Sequence, residues 1–237
     1  LRSGLVSVTF RQLPPGEIVT LAAMAGLDGI EWGGDVHVPP GSLALAQEVG
    51  ALTRSVGLEV ASYGSYYRLD GSGFEEVLAT AHALGAPNIR VWAGRVGSSS
   101  ASPSDWDAAV LDGQRIAALA APLQISFEFH QGTLADTASS TLSLLSRIDA
   151  PNVRTYWQPS AGLSVADRMA EIGELEPFLS SMHVFQWSDG LRLSLSSGFA
   201  EWTQYLRGDW ALLEFVRDDS PEQFLEDAAT LKELLGG

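Results

Sequence analysis

The sequence predicts an α/β protein folded as one closed (β/α)8 barrel, a TIM barrel, with residues 1–237 as a single domain. Three observations lead there. Eight short β-rich runs recur with starts 24 to 36 residues apart. Stretches with helix starts and stops separate them, which is the pattern of βα units on a parallel sheet. The length of 237 residues suits one barrel of ~250 residues. A doubly wound open sheet is the alternative. It usually has fewer strands and opens on a glycine-rich turn, and Gly71-Ser72-Gly73 lacks the third glycine.

Taken in order, the first strand is expected over residues 5–10. Pro14-Pro15-Gly16-Glu17 then opens a helix to Ala25, stopped by Gly26. A strand at 29–32 precedes a helix at 42–56 that ends on Gly57. A strand at 58–63 precedes a helix at 74–84 that ends on Gly85. After the strand at 88–92 comes a Ser-rich loop at 97–102. The helix opening at Ser104 has Asp105 and Asp107 in its first turn, where negative charge suits the helix dipole. Strands at 124–130, 153–158 and 182–187 alternate with helices at 136–148, 165–179 and 199–206. The last strand covers 210–216, and Ser220-Pro221-Glu222 starts the last helix with a Ser cap and Pro at its first position.

Composition excludes several chemistries. There is no Cys, so thiolate nucleophiles, disulfides and zinc–cysteine sites are absent. Lys232 is the sole lysine and sits in an apparent surface helix, which argues against Schiff-base chemistry. The net charge of −15 disfavours a nucleic-acid partner. No apolar run approaches the ~18 residues of a membrane span and no signal-peptide pattern opens the chain, so no membrane and a cytoplasmic setting are expected.

Strand parity places the polar residues. Glu128 and His130 share a face opposite Phe127 and Phe129. Tyr156 shares a face with Gln158, His183 with Phe185 and Trp187, and Glu214 with Leu212 and Val216. Glu31 lies between Ile30 and Trp32. A Glu in an apolar strand is costly unless paired. One explanation for Glu31, Glu128 and Glu214 is a shared cation: Glu128, His183 and Glu214 meet at one barrel mouth as a donor set suited to Mn²⁺, Mg²⁺, Co²⁺ or Fe²⁺. The other is a structural ion pair with Arg90 or Arg154.

These segments carry a family resemblance. Gly29-Ile30-Glu31-Trp32-Gly33-Gly34-Asp35, Glu128-Phe129-His130, the His183 strand and Glu214-Phe215-Val216 resemble the xylose isomerase-like barrel superfamily, which includes sugar isomerases, epimerases, inosose dehydratase and family 2 AP endonucleases. The resemblance spans essentially the whole chain and implies one divalent metal ion, Mn²⁺, Mg²⁺, Co²⁺ or Zn²⁺. Its ligands would fall on Glu128, Gln158, His183 and Glu214. At strand six the family carries Asp where this chain has Gln158, and a His three residues on where it has Ala161. The family's substrate-contacting Arg after strand seven falls, at a looser spacing, on Arg192.

The implied chemistry is proton transfer next to a carbonyl through an enediolate, with Glu128 and Glu214 as the catalytic pair. Substrate contacts are expected from Trp32, His37, Tyr63, His130, Trp187 and Arg192. Aromatic faces pack against sugar C–H faces, and Arg192 with Ser194, Ser196, Ser197 and Gly198 suits a phosphate or, equally, a flexible Ser-rich loop. Trp157 and Tyr67 read instead as packing between barrel and helices. The expected activity is a divalent-metal-dependent sugar isomerase or epimerase on a sugar or sugar phosphate. A dehydratase on a keto-polyol such as an inosose, or a degenerate sugar-binding barrel, are the alternatives. Whether the chain forms an oligomer stays open. A trinuclear zinc nuclease needs more histidines than the four present.

Overall fold

Every β-rich run of the sequence becomes a strand of one sheet. The computed structural model describes residues 1–236. The barrel strands are β1 (Arg2–Val6), β2 (Gly29–Gly33), β3 (Glu59–Gly64), β4 (Asn88–Val91), β5 (Gln124–Phe127), β6 (Val153–Trp157), β7 (Leu179–Val184) and β10 (Trp210–Leu213). They run parallel and close in the order β1-β10-β7-β6-β5-β4-β3-β2, which rules out the open sheet. The helices are α1 (Pro15–Met24), α2 (Leu43–Ser55), α3 (Phe74–Leu84), α4 (Pro103–Ala120), α5 (Ala138–Ile148), α6 (Val165–Leu175), α7 (Phe199–Tyr205) and α8 (Pro221–Leu234). Among the described residues no helix is long and apolar enough to cross a membrane.

Local chemistry explains the helix ends. Ser102 and Asp105 form a reciprocal capping box on α4, and Ser220 caps α8 ahead of Pro221. Gly85 closes α3 in the left-handed region at φ 77°, donating to the carbonyls of Ala81 and His82. Gly29 is needed for a different reason. A Cβ there would sit 2.7 Å from the Trp210 indole, which helps fill the barrel interior with Val6, Ala61, Tyr156 and Leu212. The larger apolar core lies between strands and helices, where Trp157 packs on Trp202 and Tyr205.

Several strands stop earlier than their sequence pattern. Ser7–Phe10 is a 3-10 turn rather than strand, because the Ser7 hydroxyl accepts the Gly33 amide proton and pairs with His37. Glu128 and Glu214 lie just beyond β5 and β10. Each is still anchored by one last interstrand bond, Glu128 N–H to Val91 O at 2.9 Å and Glu214 N–H to Val184 O at 3.0 Å. The run at 182–187 splits. The strand ends at Val184, and β8 (Gln186–Ser188) pairs antiparallel with β9 (Leu191–Leu193) around Asp189-Gly190. Both turn residues have positive φ, the conformation that an Asp-Gly hairpin turn demands.

Candidate active site

The C-terminal ends of the strands gather the polar residues into one buried cluster with Arg90 among them. Arg90, on β4, is 2% exposed. Its Nε donates to Glu31 Oε1 at 2.7 Å and its Nη1 to Glu128 Oε2. Glu31 is fully buried, and its other oxygen accepts from Tyr156 Oη at 2.7 Å and from Ser62 Oγ. The ion-pair explanation therefore holds for Glu31 and Glu128, with Arg90 as partner. Arg154 takes no part.

Burial alone pushes the Glu31 carboxyl up, but Arg90, His183 and Ser62 outweigh it and hold the group well below the usual carboxylate range. Tyr156 is raised well above its ordinary value by burial and by Glu31, so it stays a neutral donor. A folded pKa below the unfolded one gives stability that is complete above about pH 4.3 and is lost as pH falls toward the folded value. We expect the urea-unfolding free energy to decline as pH falls below about 4.5 and to be still falling at about pH 3. Glu31→Gln should flatten that slope; equal slopes in both proteins would assign the acid sensitivity elsewhere.

His183 sits between two carboxylates. Its Nε2 is 3.6 Å from Glu31 Oε1 and its Nδ1 is 3.3 Å from Glu214 Oε2. Among the described residues neither nitrogen makes a hydrogen bond, and Glu214 Oε2 and Gln158 Oε1 are likewise buried without a partner. Buried polar atoms are normally satisfied, so unpartnered atoms at three of the four expected ligand positions call for an occupant. Amide oxygen, imidazole nitrogen and carboxylate oxygen together fit a divalent cation. Among the described residues no three of His, Asp and Glu group closely enough to hold one by themselves. Arg90 engages Glu128, and strand six offers the neutral Gln158 amide in place of a carboxylate.

Beside this cluster a cavity of about 240 Å³ opens at the mouth. Phe129, His130, Phe185, Trp187 and Phe215 line it with Gln158, while Gln131, Asp136 and Ser160 supply further polar groups. Trp187 is 43% exposed, and its ring packs against Phe215 at 5.4 Å and Phe185 at 5.7 Å. Phe215 holds a left-handed φ of 53°, uncommon for a bulky residue, which turns the chain immediately after Glu214. Sequence parity carried no sign of this turn.

Of the expected substrate contacts, His130 and Trp187 line the cavity, and four others do not. Trp32 is buried with Nε1 donating to Thr53 Oγ1 at 3.1 Å. Tyr63 is buried with its hydroxyl on Val38 O at 2.8 Å. His37 is buried between Ser7 Oγ at 3.0 Å and Leu13 O at 3.2 Å, and burial lowers its pKa. In each case the polar tip found a partner inside the fold, so an aromatic or imidazole at a strand end was packed rather than presented. Arg192 binds Asp219 at 2.5 Å and lines a smaller cavity that shares Phe215. Its neighbours Ser194 and Ser196 bond each other, and the Ser197 hydroxyl donates to Ser194 O.

Comparison with known proteins agrees with this architecture. The family model described as xylose isomerase-like TIM barrel matches residues 19–207. No curated protein matches the chain. Among solved structures, the probable 3-DHS dehydratase AsbF, involved in petrobactin synthesis in Bacillus anthracis, superposes with a TM-score of 0.83 at 21% identity, covering 98% of this chain and 99% of that one. D-allulose 3-epimerase from Methylomonas sp. has a TM-score of 0.71 at 18% identity, covering 100% and 97%. The IolI protein with a bound zinc atom also has a TM-score of 0.71, at 12% identity, covering 100% and 98%. At these identities the likeness is one of fold; with the family match running from α1 to the end of α7, the chain belongs to the xylose isomerase-like TIM barrel family.

Proposed function

We propose that this protein is a sugar isomerase or epimerase that moves a proton at a carbon next to a carbonyl, with a divalent cation as cofactor. The observation that carries the reading is the set of unpartnered buried atoms on Gln158, His183 and Glu214 beside a cavity at the barrel mouth. Gln158, His183 and Glu214 would hold the ion, joined by the Glu128 oxygen that Arg90 leaves free. When bound, a divalent cation supplies Lewis-acid polarisation of the substrate carbonyl.

The remaining roles fall to the chain's own residues. Glu128 and Glu214 come from strands five and eight of the barrel, respectively, and so flank a ligand between them. One carboxylate removes the proton and the other returns it from the opposite face, which inverts the carbon. Return to the neighbouring carbon gives aldose–ketose isomerisation. Arg90 holds Glu128 in one orientation and balances its charge. Phe185, Trp187 and Phe215 cover the apolar side of the ligand and exclude water. The ligand is a small sugar or sugar phosphate, handled in the cytoplasm by residues 1–237 as one barrel unit.

A second reading, dehydration of a cyclic keto-polyol, has its own support. Five aromatic or imidazole rings line the cavity, and such faces pack against the C–H face of a ring. AsbF, the probable 3-DHS dehydratase, shares the fold over nearly its entire length. One assay addresses both. A panel of ketoses, ketose phosphates and inososes is incubated in deuterated buffer with Mn²⁺ or Mg²⁺ and read by NMR. Exchange of the hydrogen next to the carbonyl supports proton transfer, and loss of water selects dehydration. No reaction on any member would leave a barrel that binds without turnover.

Gln158→Asp is expected to strengthen divalent-cation binding, because a carboxylate adds charge to the donor set. Titration calorimetry with Mn²⁺ checks this. Unchanged or weaker affinity would remove Gln158 from the proposed ligands.

A further inference from the structure

The loops at the barrel mouth carry five arginines besides the buried Arg90. Four are paired: Arg11 with Asp35 at 2.9 Å, Arg95 with Asp70 at 3.3 Å, Arg192 with Asp219 at 2.5 Å and Arg217 with Asp218 at 3.9 Å. Arg68, in the loop after β3, forms no ion pair among the described residues. It is half-buried, and its one hydrogen bond runs to Gly94 O at 3.5 Å. Burial and the neighbouring Arg95 both act against its charge. In a chain of net charge −15, a guanidinium without a counter-ion beside a second guanidinium is out of place.

The surroundings favour an oxyanion. The Arg68 guanidinium carbon lies over the Trp92 ring, 4.1 Å from its centre; a guanidinium stacked on an aromatic face keeps N–H donors for an anion. A cavity of about 200 Å³ opens on Arg68, Asp70, Gly94, Arg95, Asp105 and Leu134. Both of its acids are engaged elsewhere. Asp70 faces Arg95, and Asp105 accepts from the Ser102 backbone at 2.8 Å and its hydroxyl at 2.7 Å. On the other side, the Trp92 ring meets His130 at 4.7 Å, and His130 lines the cavity beside Gln158. Trp92 Nε1 is a further buried donor without a partner.

We propose that Arg68, seated on Trp92, is an oxyanion subsite for a carboxylate or phosphate group of the substrate. A guanidinium edge binds either group through two parallel N–H bonds. The subsite takes the place of the phosphate position that the sequence suggested at Arg192, whose guanidinium is spent on Asp219. That the anion belongs to the substrate rests on the proposed function; the anion site itself does not.

Titration calorimetry at low salt, with inorganic phosphate and with acetate as probes, tests it. The wild-type protein should bind at least one probe in the millimolar range. Arg68→Met keeps the stem and removes one long hydrogen bond and the charge over Trp92, with no ion pair lost, so the fold should persist, and affinity should fall about tenfold or more. Arg2→Met removes the same charge at the opposite end of the barrel and should leave affinity within about twofold. A preference for phosphate assigns the subsite to phosphate esters, and a preference for acetate to carboxylates. Equal binding by wild type and Arg68→Met, an equal loss in Arg2→Met, or no binding of either probe would each overturn the site. Phosphate or acetate bound through Arg68, in a protein that turns over nothing in the substrate panel, would overturn the proposed activity and leave the subsite standing.

Discussion

Replacing Arg90 with methionine is expected to destabilise the fold by about 3–5 kcal/mol, the range seen when one partner of a buried ion pair is removed. Arg90 is the cation that both Glu31 and Glu128 contact, and all three groups are 5% exposed or less. Without it the two carboxylates stay buried, uncompensated and facing His183 and Glu214. Urea unfolding at neutral pH measures the loss. Arg90→Lys should recover only part of it, because one ammonium cannot reproduce the fork that spans Glu31 and Glu128. A loss below about 1 kcal/mol, the range of exposed pairs, would show that water enters the cluster and screens it.

The second large effect concerns proton transfer. Glu214→Gln and Glu128→Gln should each slow exchange of the substrate hydrogen with deuterated solvent by about 10²–10⁴-fold, since Gln keeps the volume but cannot accept a proton. The two variants should differ in stability. Glu214 Oε2 has no hydrogen-bond partner, so its replacement should leave the thermal midpoint nearly unchanged. Glu128 is held by Arg90, and its replacement strands half of that guanidinium's charge, so a lower midpoint is expected. Near-wild-type exchange in either variant, on a confirmed substrate, would remove that residue from the catalytic pair. Slow exchange in Glu214→Gln with an intact melt separates chemistry from folding.

Much of the site was legible because it depends on short-range rules. Glu128 and Glu214 each follow an apolar strand run, and parity with Leu212 and Tyr156 turned them and Gln158 toward the barrel axis. His183 obeyed the same rule one residue before the end of β7. The failures share a cause. Trp32 and Tyr63 sit at strand ends by spacing and His37 in the loop after the second strand, yet Thr53, Val38 O, Ser7 and Leu13 O, all distant in sequence or reached only after a turn, drew their polar atoms inward. Asp189-Gly190 was the one missed element with a local signature, since Asp-Gly is a strong hairpin signal.

Alternation of β-rich runs with capped helices determined the barrel, because amide pairing, side-chain period and helix caps act within a few residues. The same local rules determined which carboxylates face the axis. Tertiary structure decided where each strand ends, since a ladder stops when its neighbour has no further group to offer. It also decided that Arg90 serves Glu31 and Glu128 while Glu214 and Gln158 keep free oxygens. Parity gives a side chain its direction, but the partner it meets depends on the register of strands brought together from across the chain. Barrel closure sets that register, and with it which polar atoms are satisfied and which are left for a ligand.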